Sequence, residues 1–216
     1  MELLLWKALS ALGGVAVTGP LGIAVAVWLL AGRKWRLSLS WCVLFCVGML
    51  LVVATKVAYY GWGIGIPEWQ FAGLSGHAMR ACAVYPVVFY LAFRHAHPVS
   101  KYGAFAAGVL LALLISVSRV PTHAHSVSEV VMGAAVGFAV AAAFIGVARS
   151  TQPAIVGRVL VMLCAPLVLV MPFTKPAPTE KWMRQVASYL SGNEPIERAW
   201  RLGPDYQRFQ KEQQSI

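Results

Sequence analysis

Acidic residues are scarce in this chain of 216 residues: there are eight, and only Glu2, Glu68 and Glu129 precede residue 174. Charged residues of both signs make up 12% of the chain, whereas a soluble domain usually has about 25%. The chain also lacks a cluster of acids that would hold Mg²⁺ and a glycine-rich loop that would hold a nucleotide. These absences argue against a soluble domain and against a nucleotide-binding site.

Cysteine is nearly as rare, with Cys42, Cys46, Cys82 and Cys164 as the four examples. All four lie within apolar runs. Two thiols one helical turn apart, as at 42 and 46, make a poor metal site on their own. We therefore expect the cysteines to be buried small hydrophobic residues.

Long apolar runs take the place of the missing charge, since 59% of the residues are hydrophobic and the mean hydropathy is +0.68. A helix needs about 20 apolar residues to cross about 30 Å of hydrocarbon. A sixth run, 159–173, is short and contains two prolines, so it either spans the membrane or only enters it. We predict an all-α, polytopic transmembrane bundle of five to six spans, with residues 1–10 as an interfacial segment. The five longer runs cover residues 11–31, 37–60, 76–93, 99–117 and 127–148.

The basic residues give the chain a net charge of +10, and they fall mostly between the apolar runs. This placement favours topology signals and contact with anionic lipid over nucleic-acid binding. The positive-inside rule therefore places the first, third and fifth connections in the cytoplasm. It places residues 56–77 and 118–129, which hold most of the other polar side chains, on the opposite side. The basic residues concerned are Arg33, Lys34 and Arg36, then Arg94 and Lys101, then Arg149 and Arg158.

The last part of the chain is more polar than the rest. Residues 174–216 contain seven Lys or Arg and five acids. Trp182, Val186 and Leu190 are spaced by four, as on one face of a short helix. Either an interfacial helix or a solvated, partly disordered tail fits this pattern. We predict a transmembrane domain over 1–173 and a polar, partly amphipathic tail over 174–216.

Glu129 is the acid that lies within the pattern of a span, and a charge in that position usually has a partner. His125 lies four residues earlier, on the same helical face. A carboxylate can bond to one imidazole nitrogen and make the other more basic, which would give an oriented nucleophile or base. A buried structural pair is the alternative. His123 lacks this spacing, and we expect it to line the rim.

Other polar residues on the same side suit an anion. Arg119 presents a planar fork of donors that fits phosphate oxygens, close to the start of the helix after His125. Ser75 is a good N-cap for the third span, Gly76 permits close approach of a ligand, and His77 follows. Lys56 lies near the outer end of the second span. Each has a simpler interpretation as a helix cap, a lipid-facing arginine or a lysine that reaches the interface.

In combination these residues resemble the type 2 phosphatidic acid phosphatase superfamily over roughly residues 11–148. That family's pattern is a lysine, six residues and Arg-Pro, then Pro-Ser-Gly-His. Its third motif is Ser-Arg, five residues, a histidine, three residues and an aspartate. The matching residues are Lys56, Ser75-Gly76-His77, Ser118-Arg119, His125 and Glu129.

The chain departs from the family pattern at three points. Gly63-Ile64 stands where the family has Arg-Pro, so one phosphate-binding arginine is missing. Leu74 replaces the proline of the second motif, and Glu129 replaces the aspartate of the third. Arg80 lies one turn beyond His77, and our hypothesis is that it partly replaces the missing arginine.

The resemblance implies a membrane lipid phosphatase that uses neither a metal nor another cofactor. His125 would attack phosphorus to form a phosphohistidine, Glu129 would orient His125, and His77 would protonate the leaving oxygen. The phosphate oxygens would be bound by Lys56, Ser75, Gly76, Arg119 and Arg80.

An isoprenoid diphosphate such as undecaprenyl diphosphate is the first expected substrate, followed by phosphatidic acid, phosphatidylglycerol phosphate or lipid A 1-phosphate. The expected location is a bacterial-type inner membrane, with the site on the periplasmic side. A lipid phosphotransferase with the same site, a non-catalytic lipid-binding relative and a transporter remain as alternatives. The polar residues gather at the ends of spans on one side, which favours an enzyme over a transporter.

Overall fold

The computed structural model describes residues 2–149, 157–170 and 178–198. These residues form helices and connecting loops, with a single β-bridge between Ile66 and Phe71. The prediction of an all-α fold is therefore confirmed. The helices are α1 Glu2–Leu12, α2 Val15–Ala31, α3 Trp35–Trp62, a 3₁₀ turn Pro67–Trp69, α4 Gly76–Phe93, α5 Pro98–Val117, α6 Val127–Ala148, α7 Gly157–Val170 and α8 Thr179–Ser191.

Four stretches within the described ranges are long and apolar enough to cross a membrane: Leu3–Ala31, Trp35–Trp62, Pro98–Val117 and Val127–Ala148. Large apolar side chains stay exposed on them, as on Ile23 at 65% and Leu50 at 66%. So much exposed apolar surface is unfavourable in water but favourable in contact with lipid. The chain is accordingly a membrane protein built as a helical bundle.

The sixth predicted run corresponds to α7, a shorter apolar helix that ends at Val170. Residues 171–173 of that prediction, and the boundary predicted between 173 and 174, lie outside the described residues. Cys82 and Cys164 are buried as expected. The expectation is wrong for Cys42 and Cys46, which are exposed on α3, because an apolar membrane helix presents one side to lipid rather than to protein.

α4 is the central helix, and nearly all of its side chains are buried. Glycines on its neighbours allow this close packing. A Cβ at Gly137 of α6 would lie 2.3 Å from the Met79 carbonyl oxygen, and one at Gly108 of α5 would lie 3.0 Å from the Tyr85 carbonyl oxygen. Small residues at helix interfaces are the usual means of close approach between membrane helices. α4 and α6, which bear the second and third motifs, are thereby held together.

α8 forms within the predicted polar tail, so the helical alternative describes this segment. It packs on the end of α3, where Ala187 is fully buried beside Val57 and Tyr60. A Cβ at Gly61 would lie 3.3 Å from the Ala187 carbonyl oxygen, so glycine gives α8 room to approach. Trp182, Val186 and Leu190 remain about half exposed, at 54%, 47% and 58%.

Candidate active site

A cavity of about 310 Å³ lies where the C-terminal end of α3, the N-terminal end of α4 and the 118–126 loop meet. Six of the eight site residues predicted from the sequence line this cavity. The other two, Ser75 and Glu129, are fully buried next to it. The six that line the cavity are Lys56, Gly76, His77, Arg80, Arg119 and His125.

His125 and Glu129 form a pair at the start of α6. Ser126 is the N-cap of this helix, and its Oγ accepts the Glu129 N–H at 3.4 Å. The Glu129 side chain turns away from the cap: its Oε2 is hydrogen-bonded to His125 Nδ1, and its Oε1 accepts the Ala72 N–H at 3.0 Å. Because Nδ1 is held by the carboxylate, Nε2 is the nitrogen of His125 left for chemistry.

The loop before His125 is held by the backbone of Arg119. The Arg119 carbonyl oxygen accepts N–H groups from Ala124 at 3.1 Å and from His125 at 3.2 Å. Ser118 Oγ donates to the Ile115 carbonyl oxygen at 2.6 Å, and Thr122 Oγ1 donates to the Ser118 carbonyl oxygen at 2.7 Å. These bonds hold the backbone of the loop that carries Arg119 and His125.

The N-terminal end of α4 is joined to α6 through Ser75. Ser75 Oγ caps the helix by accepting the Ala78 N–H at 3.5 Å, and the Ser75 N–H donates to the Glu129 carbonyl oxygen at 3.0 Å. A Cβ at Gly133 would lie 2.6 Å from the Ser75 carbonyl oxygen, so glycine is required there for contact. The helix N-terminus at Gly76 borders the cavity, a position that favours an anion.

Lys56 is buried, at 3% exposure, and the loop before α4 packs directly on it. Gly73 has φ +106°, and a Cβ there would lie 3.0 Å from both the backbone nitrogen and the Cα of Lys56. Leu74, which replaces the family's proline, donates its N–H to Thr55 Oγ1 at 3.2 Å. Proline has no N–H and would lose that bond, so this departure from the family pattern has a structural role here.

Arg80 and Arg119 connect the cavity to the N-terminal helices. Arg80 Nε donates to Thr18 Oγ1 at 3.1 Å, and its Nη2 donates to the Gly13 carbonyl oxygen at 3.3 Å. Its Nη1 lies beside Gly76, where an added Cβ would approach to 2.9 Å. Arg119 Nη1 is hydrogen-bonded to Ser10 Oγ. Two nitrogens of the Arg80 guanidinium thus link α4 to the N-terminal part of the chain. The hypothesis that Arg80 replaces the missing arginine stays a prediction.

The PAP2 superfamily matches residues 59–152, a segment that contains both histidine motifs and begins just after Lys56. The chain belongs to the PAP2 superfamily. An uncharacterized 22.5 kDa protein in the cps region of Klebsiella pneumoniae is 32% identical over 189 residues, which cover 85% of this chain and 90% of that protein.

A second relative of this PAP2 chain is phosphatidylglycerophosphatase B of Bacillus subtilis (strain 168), 37% identical over 75 residues. That match covers 33% of this chain and 36% of the relative. No solved structure matches the chain.

Positive charge dominates the PAP2 site. The cations Lys56, Arg80 and Arg119 line the cavity, while the Glu129 carboxylate is already engaged by His125 and Ala72. His125 lies in the loop before α6, where burial first, and then the charges of Lys56, Arg198 and Arg119, hold the pKa of its imidazole well below the ordinary value. His125 is therefore neutral at neutral pH, and the excess positive charge makes the cavity suited to an anion.

Two residues of the C-terminal segment belong to this site and were missed by sequence reasoning. Glu180 of α8 lines the cavity and accepts a hydrogen bond from Tyr60 Oη at 3.1 Å. Arg198 is fully buried, with its Nη1 3.7 Å from Glu129 Oε2. The four-residue spacing of apolar residues predicts an amphipathic helix here, but periodicity carries no information about where that helix docks.

Proposed function

We propose that this PAP2 protein is a lipid phosphatase that hydrolyses a phosphate or diphosphate monoester through a phosphohistidine at His125. The observation that carries the proposal is the shared cavity, in which an oriented, neutral histidine meets three cations and a second histidine. A nucleophile, a proton donor and anion-binding groups within one cavity are the parts that phosphoryl transfer requires.

In the proposed reaction, Lys56, Arg80, Arg119 and the N-terminus of α4 bind the phosphate oxygens and stabilise the charge that develops on them. The lone pair of His125 Nε2 attacks phosphorus, and the bond from phosphorus to the leaving oxygen breaks. The bound anionic phosphate offsets the surrounding cations, so that His77 takes up a proton in the complex and donates it to that oxygen. Glu129 accepts the hydrogen bond from Nδ1–H and stabilises the imidazolium that forms.

The second step releases inorganic phosphate. Water attacks phosphorus while the phosphorus–nitrogen bond breaks, and the electron pair returns to His125 Nε2. His77, deprotonated in the first step, takes the proton from the attacking water. Protons and electron pairs balance over the two steps, so the proposed cycle needs no metal, oxidant or further reactant.

The cavity wall supports a lipid as the substrate. Apolar side chains from α3 and α8 border the cavity beside its cationic floor, and α3 is one of the candidate membrane spans. This wall would accept the first carbons of a lipid chain while the phosphate binds below. The apolar wall consists of Met49, Val52, Val53, Trp182, Met183 and Val186.

The head group is proposed by class. Undecaprenyl diphosphate remains the first substrate to test, and the similarity to the phosphatidylglycerophosphatase B of Bacillus subtilis supports phosphatidylglycerol phosphate as another. Phosphatidic acid and lipid A 1-phosphate complete the panel. The proposed location is a bacterial-type inner membrane with the cavity on the periplasmic side.

The test is phosphate release by the detergent-purified protein from this lipid panel in the presence of EDTA, with His125→Ala in parallel. We expect activity that survives EDTA and is lost in the variant, because His125 supplies the nucleophile. Arg80→Ala belongs in the same assay, where a raised KM would support a phosphate-binding role and an unchanged KM would contradict it.

Other outcomes would favour the alternatives. Folded wild-type protein that releases no phosphate from any lipid would contradict the phosphatase. Transfer of the phosphate to an added lipid acceptor under those conditions would instead identify a phosphotransferase. Equal activity of the wild-type protein and His125→Ala would contradict the phosphohistidine.

A further inference from the structure

Arg198 is fully buried although it comes from the polar C-terminal part of the chain. Its Nη1 donates to the Ala124 carbonyl oxygen at 2.9 Å and lies 3.7 Å from Glu129 Oε2. Ala124 immediately precedes His125, and Glu129 Oε2 is the atom bonded to the His125 imidazole. One guanidinium group thus contacts both the loop that carries His125 and the carboxylate that orients it.

The segment that delivers Arg198 is anchored on the end of α3. The Ile196 N–H donates to the Tyr60 carbonyl oxygen at 2.9 Å, and Glu197 accepts a hydrogen bond from Arg184 Nη2 at 2.9 Å. A Cβ at Gly63, where the family pattern has arginine, would lie 3.2 Å from Ile196 Cδ1. Gly63 stands where the family pattern has an arginine. Because glycine has no side chain, this position leaves room for the segment that carries Arg198.

Stability alone does not account for this burial. Within the described part of the chain, Nε and Nη2 of Arg198 are buried and have no hydrogen-bond partner. Burying a charge with unsatisfied donors is costly, and an apolar side chain of similar volume is often at least as stabilising. A buried residue that costs stability in this way is typical of a functional site.

We propose that Arg198 is a positioning residue for the His125–Glu129 pair. The inference rests on the proposed phosphatase function and extends it to the C-terminal segment. Arg198 holds the Ala124 carbonyl group and places its positive charge beside the Glu129 carboxylate. Glu129 can then accept the hydrogen bond from His125 Nδ1–H and leave Nε2 ready to attack.

The electrostatic consequence concerns His125, whose pKa is lowered first by burial and then by the surrounding cations, Arg198 among them. Removing the charge of Arg198 makes protonation of His125 easier, so the pKa of His125 rises. Because only the neutral imidazole attacks, the acid limb of the pH–rate profile then moves to higher pH. The charged or titratable groups that face His125 are Glu129, Lys56, Arg198, Arg119 and His77.

The experiment compares full-length Arg198→Gln, Arg198→Lys and Arg184→Gln with the wild-type protein, using the best lipid of the panel. For Arg198→Gln we expect kcat to fall about 10²-fold, since a misplaced catalytic group costs about that much. KM should change little, and the acid limb should move to higher pH. Arg198→Lys should recover part of kcat with an unmoved acid limb. Arg184→Gln loosens the segment's anchor at a residue that does not line the cavity. Arg184 also lies 3.7 Å from Glu180, but the variant leaves Arg198 in place and should keep most of kcat.

Wild-type kcat and an unmoved acid limb in Arg198→Gln would overturn the inference while leaving the phosphatase intact. Equal losses in Arg198→Gln and Arg184→Gln with no change in pH profile would also overturn it, since the segment would then act only as an anchor. A wild-type protein without activity would remove the proposed function and this inference together. If Arg198→Gln does not fold, Arg198→Lys carries the test, and full kcat in that variant contradicts the inference.

Discussion

At the scale of single residues, the chemistry depends on which atom of Glu129 meets which donor. Oε2 is hydrogen-bonded to His125 Nδ1, and Oε1 accepts the Ala72 N–H at 3.0 Å. The glutamate that replaces the family's aspartate thus reaches two partners from one turn of α6. The extra methylene group of glutamate lengthens the side chain, and its two carboxylate oxygens link the loop before α4 to His125.

The pH dependence of activity follows from the environment of His125. Burial and nearby cations hold the pKa of this imidazole well below its ordinary value of 6.5. Attack on phosphorus requires the neutral form of His125. Activity is therefore lost only when the pH falls below the lowered pKa of this imidazole. We expect the acid limb of kcat/KM to lie below pH 6.5, and phosphate release measured between about pH 4 and pH 8 checks this.

This measurement needs a control for the substrate. The second ionisation of a phosphate monoester occurs near pH 6, so it can produce an acid limb of its own. Titration of the lipid by ³¹P NMR under the assay conditions separates the two. An acid limb at or above pH 6.5, with the substrate's ionisation accounted for, would contradict a neutral, buried His125.

At the scale of the helices, two glycines one turn apart on α6 decide how the site assembles. Gly133 lies against Ser75 and Gly137 against Met79, with a hypothetical Cβ at 2.6 Å and 2.3 Å from their carbonyl oxygens. The blocking atoms belong to the backbone of α4 or of its N-cap and have little freedom to move. These contacts set the separation of the helices that carry His77 and Glu129.

Gly137→Ala should therefore destabilise the bundle. The added methyl group forces α6 away from α4, and overpacking of this kind costs about 1–3 kcal/mol. Thermal unfolding of the purified protein in detergent measures the loss.

Gly146→Ala is the matched control, because it lies on the same helix and a Cβ there meets nothing within 4 Å. Alanine is the better helix former by up to about 1 kcal/mol, so this variant should unfold at the wild-type temperature or above. Unfolding of both variants at one temperature would contradict the packing argument.

At the scale of the whole molecule, the basic connecting loops and the candidate site lie at opposite ends of the helices. The basic end includes the connection after α2 and the ends of α4 and α6, where Arg94 Nη2 donates to the Ala148 carbonyl oxygen at 3.3 Å. The cavity lies where α4 and α6 begin and α3 and α5 end. The proposed orientation has the basic end in the cytoplasm and the cavity on the other side.

Cysteine labelling tests this orientation. In a background without the four native cysteines, Gln70→Cys lies at the cavity end and Ser100→Cys at the basic end, both at exposed positions. In intact cells we expect a membrane-impermeant thiol reagent to label position 70 and to spare position 100. Permeabilised cells should show both labels, and the reverse pattern in intact cells would contradict the proposed orientation.

The elements were largely predictable because their ends carry local signals. Residues 76–93 and 127–148 were predicted as spans, and the helices α4 and α6 have the same bounds. Of the two, α6 is among the four described stretches that are long and apolar enough to cross a membrane, and α4 is not. Each begins after a serine, Ser75 or Ser126, that caps the first turn. α3 extends two residues beyond the predicted 37–60 at each end, because apolar composition marks the middle of a span better than its limits.

The sequence by itself determined a helical membrane protein, and its motif spacing nominated His125, Glu129, His77 and the cations around them. Those signals are local, since they depend on runs of apolar residues and on separations of a few positions. Only the tertiary structure decided that α8 forms a wall of the cavity and that Arg198 lies beside Glu129. The Arg198–Ala124 and Tyr60–Glu180 contacts join residues 74 and 120 positions apart. They depend on complementary surfaces, at Gly61 and Gly63, that leave no periodic pattern in the sequence.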